Sequence, residues 1–172
     1  PGFEEAEALV PADLLRRAGI DTALVGTERG PVVGGHGIAV LPDMELPQVA
    51  LEDAEMLVLP GGGRGVENLA CCPQVEQLIR LAAAQGIPID AICAAPTLLA
   101  RWGLLEGKRA VCFPGLEGKL AGARHTGASV VTDGATITGR AAGSAFDYGL
   151  ELVKFLAGEE KAEEVRHNVH YR

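Results

Sequence analysis

The sequence predicts an α/β fold, a mostly parallel sheet with helices on both faces. Strand-like and helix-like segments alternate along the chain, which is the pattern of a sheet built with crossover helices. The stretch "AEMLVLPGGG" (54–63) is a continuous apolar run that ends in Pro-Gly-Gly-Gly, as a buried parallel strand entering a loop does. No repeat, linker or low-complexity segment divides the 172 residues, so residues 1–172 are expected to form a single domain.

The elements follow in order. "EEAEALVPADLLRRAG" (4–19) spaces Ala6, Leu9, Val10, Leu14 and Ala18 as a helix does, with Pro11 as a kink and Gly19 as the stop. "IDTALVG" (20–26) and "GIAVLPD" (37–43) read as short apolar strands. After the strand that ends at the glycines, "CPQVEQLIRLAAAQG" (72–86) is a helix with Pro73 in its first turn and Gly86 at its end. "IPIDAI" (87–92) is the next strand, followed by a helix over about 96–103 and the strand "RAVCF" (109–113). "ASVVTDGATITG" (128–139) reads as a hairpin about Asp133-Gly134, and "SAFDYGLELVKFLAG" (144–158) and "EKAEEVRH" (160–167) close the chain as helices. The chain opens with the loop and helix that normally follow a first strand. An opening strand ahead of Pro1 is therefore expected to be missing.

Composition narrows the function. Hydrophobic residues are 48% and charged residues 22%, ordinary values for a folded globular chain. A net charge of −8 argues against nucleic acid as a partner, because phosphate binding needs a basic face. No apolar run reaches the roughly 20 residues of a membrane span, and no signal-peptide pattern opens the chain, so no membrane partner and a cytoplasmic location are expected. The cysteines Cys71, Cys72, Cys93 and Cys112 form no CxxC pair, which disfavours a zinc site, and free thiols are expected.

Cys93 stands apart from the other three. In "AICAAP" it lies between a buried strand and a helix, where the first helical N–H groups favour thiolate over thiol and can hold an oxyanion. A buried core cysteine is the competing reading of the same context. Glu4 and Glu5 read as favourable partners of the helix dipole, whereas Glu7 shares the inward stripe of Val10 and Leu14. A buried carboxyl needs a partner or takes up a proton, and beside a thiolate it would hold or relay that proton. The run Gly61-Gly62-Gly63 lacks the Gly-Lys-Ser/Thr of a phosphate loop; donation of one N–H to an oxyanion suits it better. His167 and His170 read as solvated, His125 lies in a polar loop, and no histidine adjoins Cys93 in sequence.

Together these residues resemble the ThiJ/PfpI superfamily, and within it the branch of the human parkinsonism-associated protein deglycase and its bacterial relatives. The resemblance rests on five stretches in the family's order: "PGFEEAEALVPADLLRRAGI", "LEDAEMLVLPGGGRGVENL", "AICAAPTLLA", "CFPGLEGKLAG" and "TGRAAGSAFDYGLELVKFLAGEEKAEEV". It implies a flavodoxin-like three-layer sandwich, with the reactive cysteine at Cys93, its partner glutamate at Glu7 and the oxyanion N–H groups at Gly62 and Ala94. It also implies a homodimer whose interface includes the first helix. At that interface the family's anion-site arginine falls near His36, and Arg17 is kept. Ala94 stands where protease-like and hydratase-like members often carry a histidine, which disfavours a protease, and Phe113 stands where the human protein has a histidine near its cysteine. Ala141-Ala142-Gly143 replaces the family's Gly-Pro-Gly.

The activity this implies is that of a glyoxalase or deglycase, free of cofactor and metal, acting on small carbonyl compounds such as methylglyoxal or their early adducts. The alternative is an oxidation-sensing stress protein or holdase chaperone that uses the same cysteine. A flavodoxin-like nucleotide or flavin module is a third reading, disfavoured by the absence of a phosphate motif.

Overall fold

The computed structural model describes residues 1–172. It contains α1 (Glu5–Arg17), β1 (Val25–Gly26), β2 (Val32–Val33), β3 (Ala39–Val40), β4 (Met44–Glu45), β5 (Leu57–Leu59), α2 (Gly63–Ala70), α3 (Pro73–Ala84), β6 (Ile89–Ile92) and α4 (Pro96–Arg101). The chain continues through β7 (Arg109–Ala110), β8 (Arg124–His125), β9 (Val130–Asp133), β10 (Thr136–Gly139), α5 (Ala145–Ala157) and α6 (Glu159–Asn168). The main sheet has the order β5-β6-β10-β9, with β6 parallel to β5 and β10, and β9 antiparallel to β10. Helices flank this sheet in an α/β arrangement, as the sequence predicts. β1 pairs in parallel with β4 as a separate two-stranded ladder, and β2–β3 is a hairpin of its own.

The strands before β5 are the main correction. "IDTALVG" pairs only at Val25–Gly26, and "GIAVLPD" only at Ala39–Val40. β2, β4, α2 and β8 were not anticipated; His125, expected in a loop, pairs within β8. Two-residue ladders are too short to show alternation, so periodicity could not reveal them. Between the β1–β4 ladder and β5 lies a large cavity lined by apolar side chains, including Leu9 and Leu15 of α1 and Leu57 and Leu59 of β5.

α1 continues through Pro11, although Pro11 has no N–H to offer the Glu7 carbonyl. Its buried line runs Glu7, Pro11, Leu14, with Ala12 and Leu15 beside it. Leu9 and Val10, expected inside, are only half-buried. The line faces α5. A Cβ on Gly149 would lie 2.7 Å from Leu14 Cδ1 and 3.0 Å from Pro11 Cα, so a glycine is what lets the two helices touch. α5 also packs on β9 and β10, while α3 and α4 pack on β6. The 29 buried residues of the core run from Leu14 to Val165 and include Cys93, Ala94 and Tyr148. The ends of β5 and β6 both open toward the start of α1, and that brings three distant stretches of sequence to one place.

Candidate active site

β6 is buried at all four positions and delivers Cys93 immediately beyond its carboxyl end. Cys93 has φ +67°, one of two residues other than glycine in the left-handed region, at a cost of about 1 kcal/mol or more. Its surroundings hold it there. The Cys93 N–H donates to the Gly139 carbonyl at 2.8 Å, and its carbonyl accepts the Phe113 N–H at 2.7 Å. With both backbone groups fixed by neighbouring segments, the turn cannot relax, and the sulfur is presented over the loop after β5. The residue is only 8% exposed.

That loop is shaped by glycine. Gly62 has φ +91°, and a Cβ on it would fall 2.5 Å from the Glu4 nitrogen. A Cβ on Gly61 would lie 2.5 Å from Cys93 Cβ and 3.0 Å from its sulfur, and against Glu7 Oε2 as well. Gly61 is therefore the floor shared by the thiol and the carboxyl. The loop is held in turn by the first residues of the chain: the Glu4 N–H donates to the Gly61 carbonyl at 3.0 Å and the Gly65 N–H to the Gly2 carbonyl at 2.9 Å.

Glu7, one turn into α1, is 1% exposed. Its Oε2 accepts the Gly61 N–H at 3.0 Å, and its Oε1 is buried with no hydrogen-bond partner. Burial pushes the Glu7 carboxyl up to about 7, against the pull of hydrogen bonds with Cys93 and the Gly61 N–H. Burial also raises the Cys93 thiol, to about 12, and the negative charge of Glu7 adds to it; the N–H groups of Gly62 and Ala94 pull down, but less. The thiolate expected from the helix start is thus opposed by desolvation. α4 begins only at Pro96 and is six residues long. Two anions cannot both persist in this space, so the pair keeps one proton at neutral pH, on sulfur or on carboxyl. Thiolate with neutral Glu7 is the nucleophilic arrangement of that pair.

The structure brings Cys93, Glu7, Gly62 and Ala94 together. Arg17 and His36 are not among them. They lie at opposite ends of α1, about 18 Å apart along the helix at 1.5 Å per residue. Arg17 is bound to Asp13 at 2.7 Å, and His36 Nδ1 lies 2.9 Å from Glu5 Oε2 and 3.6 Å from Glu4 Oε2. An imidazole faced by two carboxylates is not free for an anion within one chain.

Glu5 corrects the sequence reading in another way. Read as an exposed dipole partner, it is 5% exposed and accepts the His36 N–H at 2.7 Å. The His36 hydrogen bond holds its carboxyl down at about 2 and raises the imidazole in return. Glu4, Glu5 and His36 also offer ligand atoms within 4.8 Å of one another, but the Glu5 oxygens are already occupied by His36 and the Ile38 N–H.

Sequence reasoning missed one contributor. Gly61 was credited only as part of a glycine run; its close approach to Glu7 could not be read without the fold. Phe113, which the resemblance puts near the cysteine, is 45% exposed and flanks the site through its backbone bond to the Cys93 carbonyl.

Residues 1–155 match the model of the DJ-1/PfpI family. The chain is 39% identical over 168 residues to protein dj-1beta of Drosophila melanogaster, covering 96% of this chain and 90% of that one. A crystal structure of Drosophila melanogaster DJ-1beta, 36% identical, superposes with a TM-score of 0.92 over 100% of this chain and 94% of that one. The chain is also 32% identical to the glutathione-independent glyoxalase DJR-1.2 of Caenorhabditis elegans (92% of this chain, 85% of that one). It is 31% identical to the deglycase PH1704 of Pyrococcus horikoshii (90% and 93%). A strained cysteine against a buried glutamate, in a fold and sequence shared over nearly the whole length, makes this chain a member of the DJ-1/PfpI family.

Proposed function

We propose that the protein is a cofactor-independent cysteine enzyme that converts methylglyoxal-type α-oxoaldehydes, or their early adducts on amines and thiols, to 2-hydroxyacids. The observation that carries this reading is the buried Cys93 and Glu7 brought together over the floor made by Gly61. The relatives named glyoxalase and deglycase support the same class of chemistry.

The proton moves from sulfur to Glu7, and the thiolate attacks the aldehyde carbon to form a C–S bond. The new oxyanion faces the N–H groups of Gly62 and Ala94 and takes from Glu7 the proton that came from sulfur. Glu7, as carboxylate, removes the proton from the former aldehyde carbon, and a proton is returned to the neighbouring ketone carbon. The hemithioacetal thereby becomes a thioester of the 2-hydroxyacid with no net oxidation. Water cleaves the thioester, releasing lactate from methylglyoxal and restoring the thiol. The test is lactate formation by purified protein. Cys93→Ala should lose at least about 100-fold in kcat/KM; a variant as active as the wild type overturns the assignment.

A second reading is favoured by the unpartnered Glu7 Oε1. Two equivalents of a peroxide would take the thiolate through sulfenate to sulfinate, each releasing water, and a protonated Glu7 would donate to a sulfinate oxygen. Mass spectrometry after mild peroxide tests it; oxidation of the exposed Cys71 ahead of Cys93 defeats it. Self-association through the face of α1 from Glu4 to Arg17 belongs to this proposal. Sedimentation equilibrium showing monomer at micromolar concentration contradicts it.

A further inference from the structure

Behind Glu7 lie two polar side chains that the steps above leave unused. Three side-chain oxygens are buried without a hydrogen-bond partner: Glu7 Oε1, Asp90 Oδ2 and the Tyr148 hydroxyl. Glu7 is 1% exposed, and Asp90 and Tyr148 are 0% exposed. They come from α1, β6 and α5, and the packing gathers them into one layer. Where α1 touches Gly149 of α5, the contact is with Pro11, one turn beyond Glu7. The adjacent Tyr148 lays its ring on the sheet at Gly139, where a Cβ would lie 3.0 Å from Tyr148 Cδ2 and 2.8 Å from Ile92 Cγ1. Asp90 is two residues before Ile92, so both point to the same face of β6. Its Oδ1 accepts the Ile137 N–H from β10.

A buried polar atom left unpaired costs about 1–3 kcal/mol, and buried polar atoms are ordinarily satisfied by protein or by ordered water. Three of them, one on Glu7 itself and two behind it, have one economical explanation. We propose that Asp90 and Tyr148 are positioning residues, joined to Glu7 through buried water in a single hydrogen-bonded relay whose last donor ends on Glu7 Oε1. The relay sets how firmly Glu7 holds the proton it shares with Cys93.

The donor count closes in one direction only. Burial pushes the Asp90 carboxyl up to about 8, so at neutral pH Asp90 keeps its proton on Oδ2 while Oδ1 accepts from Ile137. Burial, then Asp90, then Glu7 raise the Tyr148 phenol well above its ordinary range, so it stays protonated and passes its own donor toward Glu7. The titratable groups that face Glu7 are Cys93 at the end of β6, Glu4 at the cap of its own helix and Tyr148 from α5, and Asp90 of β6 faces Tyr148; β10 supplies none.

The test reads the thiol without any substrate. Iodoacetamide alkylation of Cys93 at a series of pH values from about 7 to 12, read by mass spectrometry of its peptide, gives the rising limb and midpoint of thiolate formation. It is compared in the wild type, Tyr148→Phe, Asp90→Asn and Asp90→Leu, with a thermal melt for each. Tyr148→Phe removes the donor on Glu7, so Glu7 holds the proton more tightly and the thiolate forms more readily. The midpoint should fall by about one pH unit, tenfold in rate on the rising limb, which is about 1.4 kcal/mol and near the low end of a hydrogen bond to a charged group. Asp90→Leu should shift the profile the same way, and it carries the test where Tyr148→Phe melts early. Asp90→Asn keeps an oxygen for Ile137 and an amide donor for the relay, so its profile should match the wild type.

An unmoved profile in a well-folded Tyr148→Phe, or an Asp90→Asn that shifts as far as Asp90→Leu, overturns the relay. The relay rests on the proposed enzyme only for its purpose. A shifted alkylation profile in a protein that does not turn over methylglyoxal supports the relay and defeats the enzyme reading. Turnover with an unmoved profile does the reverse.

Discussion

Replacing Glu7 by glutamine should make the protein more stable, by an amount that depends on pH. The Glu7 carboxyl is ordinarily half-protonated at 4.5 and in the folded chain at about 7. Between these values the folded chain holds a proton that the unfolded chain has released, so stability falls as pH rises through that window. The difference of about 2.5 pH units corresponds to about 3 kcal/mol lost by pH 8. Glutamine cannot ionise, keeps an oxygen for the Gly61 N–H, and offers its amide toward Cys93. Urea unfolding of wild type and Glu7→Gln should therefore agree at pH 4 and diverge to about 3 kcal/mol at pH 8, a gain of roughly 6–12 °C in melting temperature for a chain of this size. Asp90, also raised by burial, is common to both proteins and cancels in the comparison. Turnover should collapse in the same variant, since no group remains to move the proton. A stability difference that does not change from pH 4 to pH 8 would show that Glu7 is not carrying a desolvated charge, and the shared-proton mechanism would fall with it.

Other substitutions test other parts of the site. Gly61→Ala places a methyl against both Cys93 and Glu7 and should cost about 1–3 kcal/mol in denaturant unfolding together with most of the activity; a fully active variant would refute the shared floor. Cys93→Gly removes the nucleophile and the left-handed strain together, so it should be inactive yet about 1 kcal/mol more stable than Cys93→Ala in the same assay. Glu5→Gln should destabilise most between about pH 4.5 and 6.5, where the lowered Glu5 is ionised and the raised His36 is charged, and progressively less as pH rises through the His36 titration. Melting temperatures taken across that range check it.

How far the sequence foretold this depends on what each element needed from its neighbours. α1, α3, α5, the half-buried strand β5 and the buried strand β6 were legible because periodicity, apolar runs and glycine or proline stops are local. Cys93 was legible for the same reason, as a cysteine between a strand and a helix. Glu7 could be seen to point inward, but not to share Gly61 with the sulfur, because that contact joins residues 54 apart in sequence. Glu5 was misread because its partner, His36, is 31 residues away. The direction of the Cys93 titration was also out of reach: a helix start is visible in a sequence, whereas desolvation is a property of the packed interior. Asp90 and Tyr148 gave no signal at all, one being a single acid in an apolar strand and the other a single phenol in an apolar helix.

The dependence of the site on the chain's first residues has a consequence for when the thiol and Glu7 become a pair. Gly2 and Glu4 hold the loop at Gly61 and Gly65, Cys93 is pinned by Gly139 and Phe113, and Glu7 must dock from α1. These contacts join stretches separated by tens of residues, so they form only after the long loops between them have closed, late in folding. During synthesis the segment holding Cys93 is made well before Gly139, and until the two meet its sulfur is an ordinary thiol with neither Glu7 nor the two N–H groups beside it. A growing chain thus carries Cys93 as an ordinary thiol, and the buried thiol paired with Glu7 appears only with the cooperative step that closes the site.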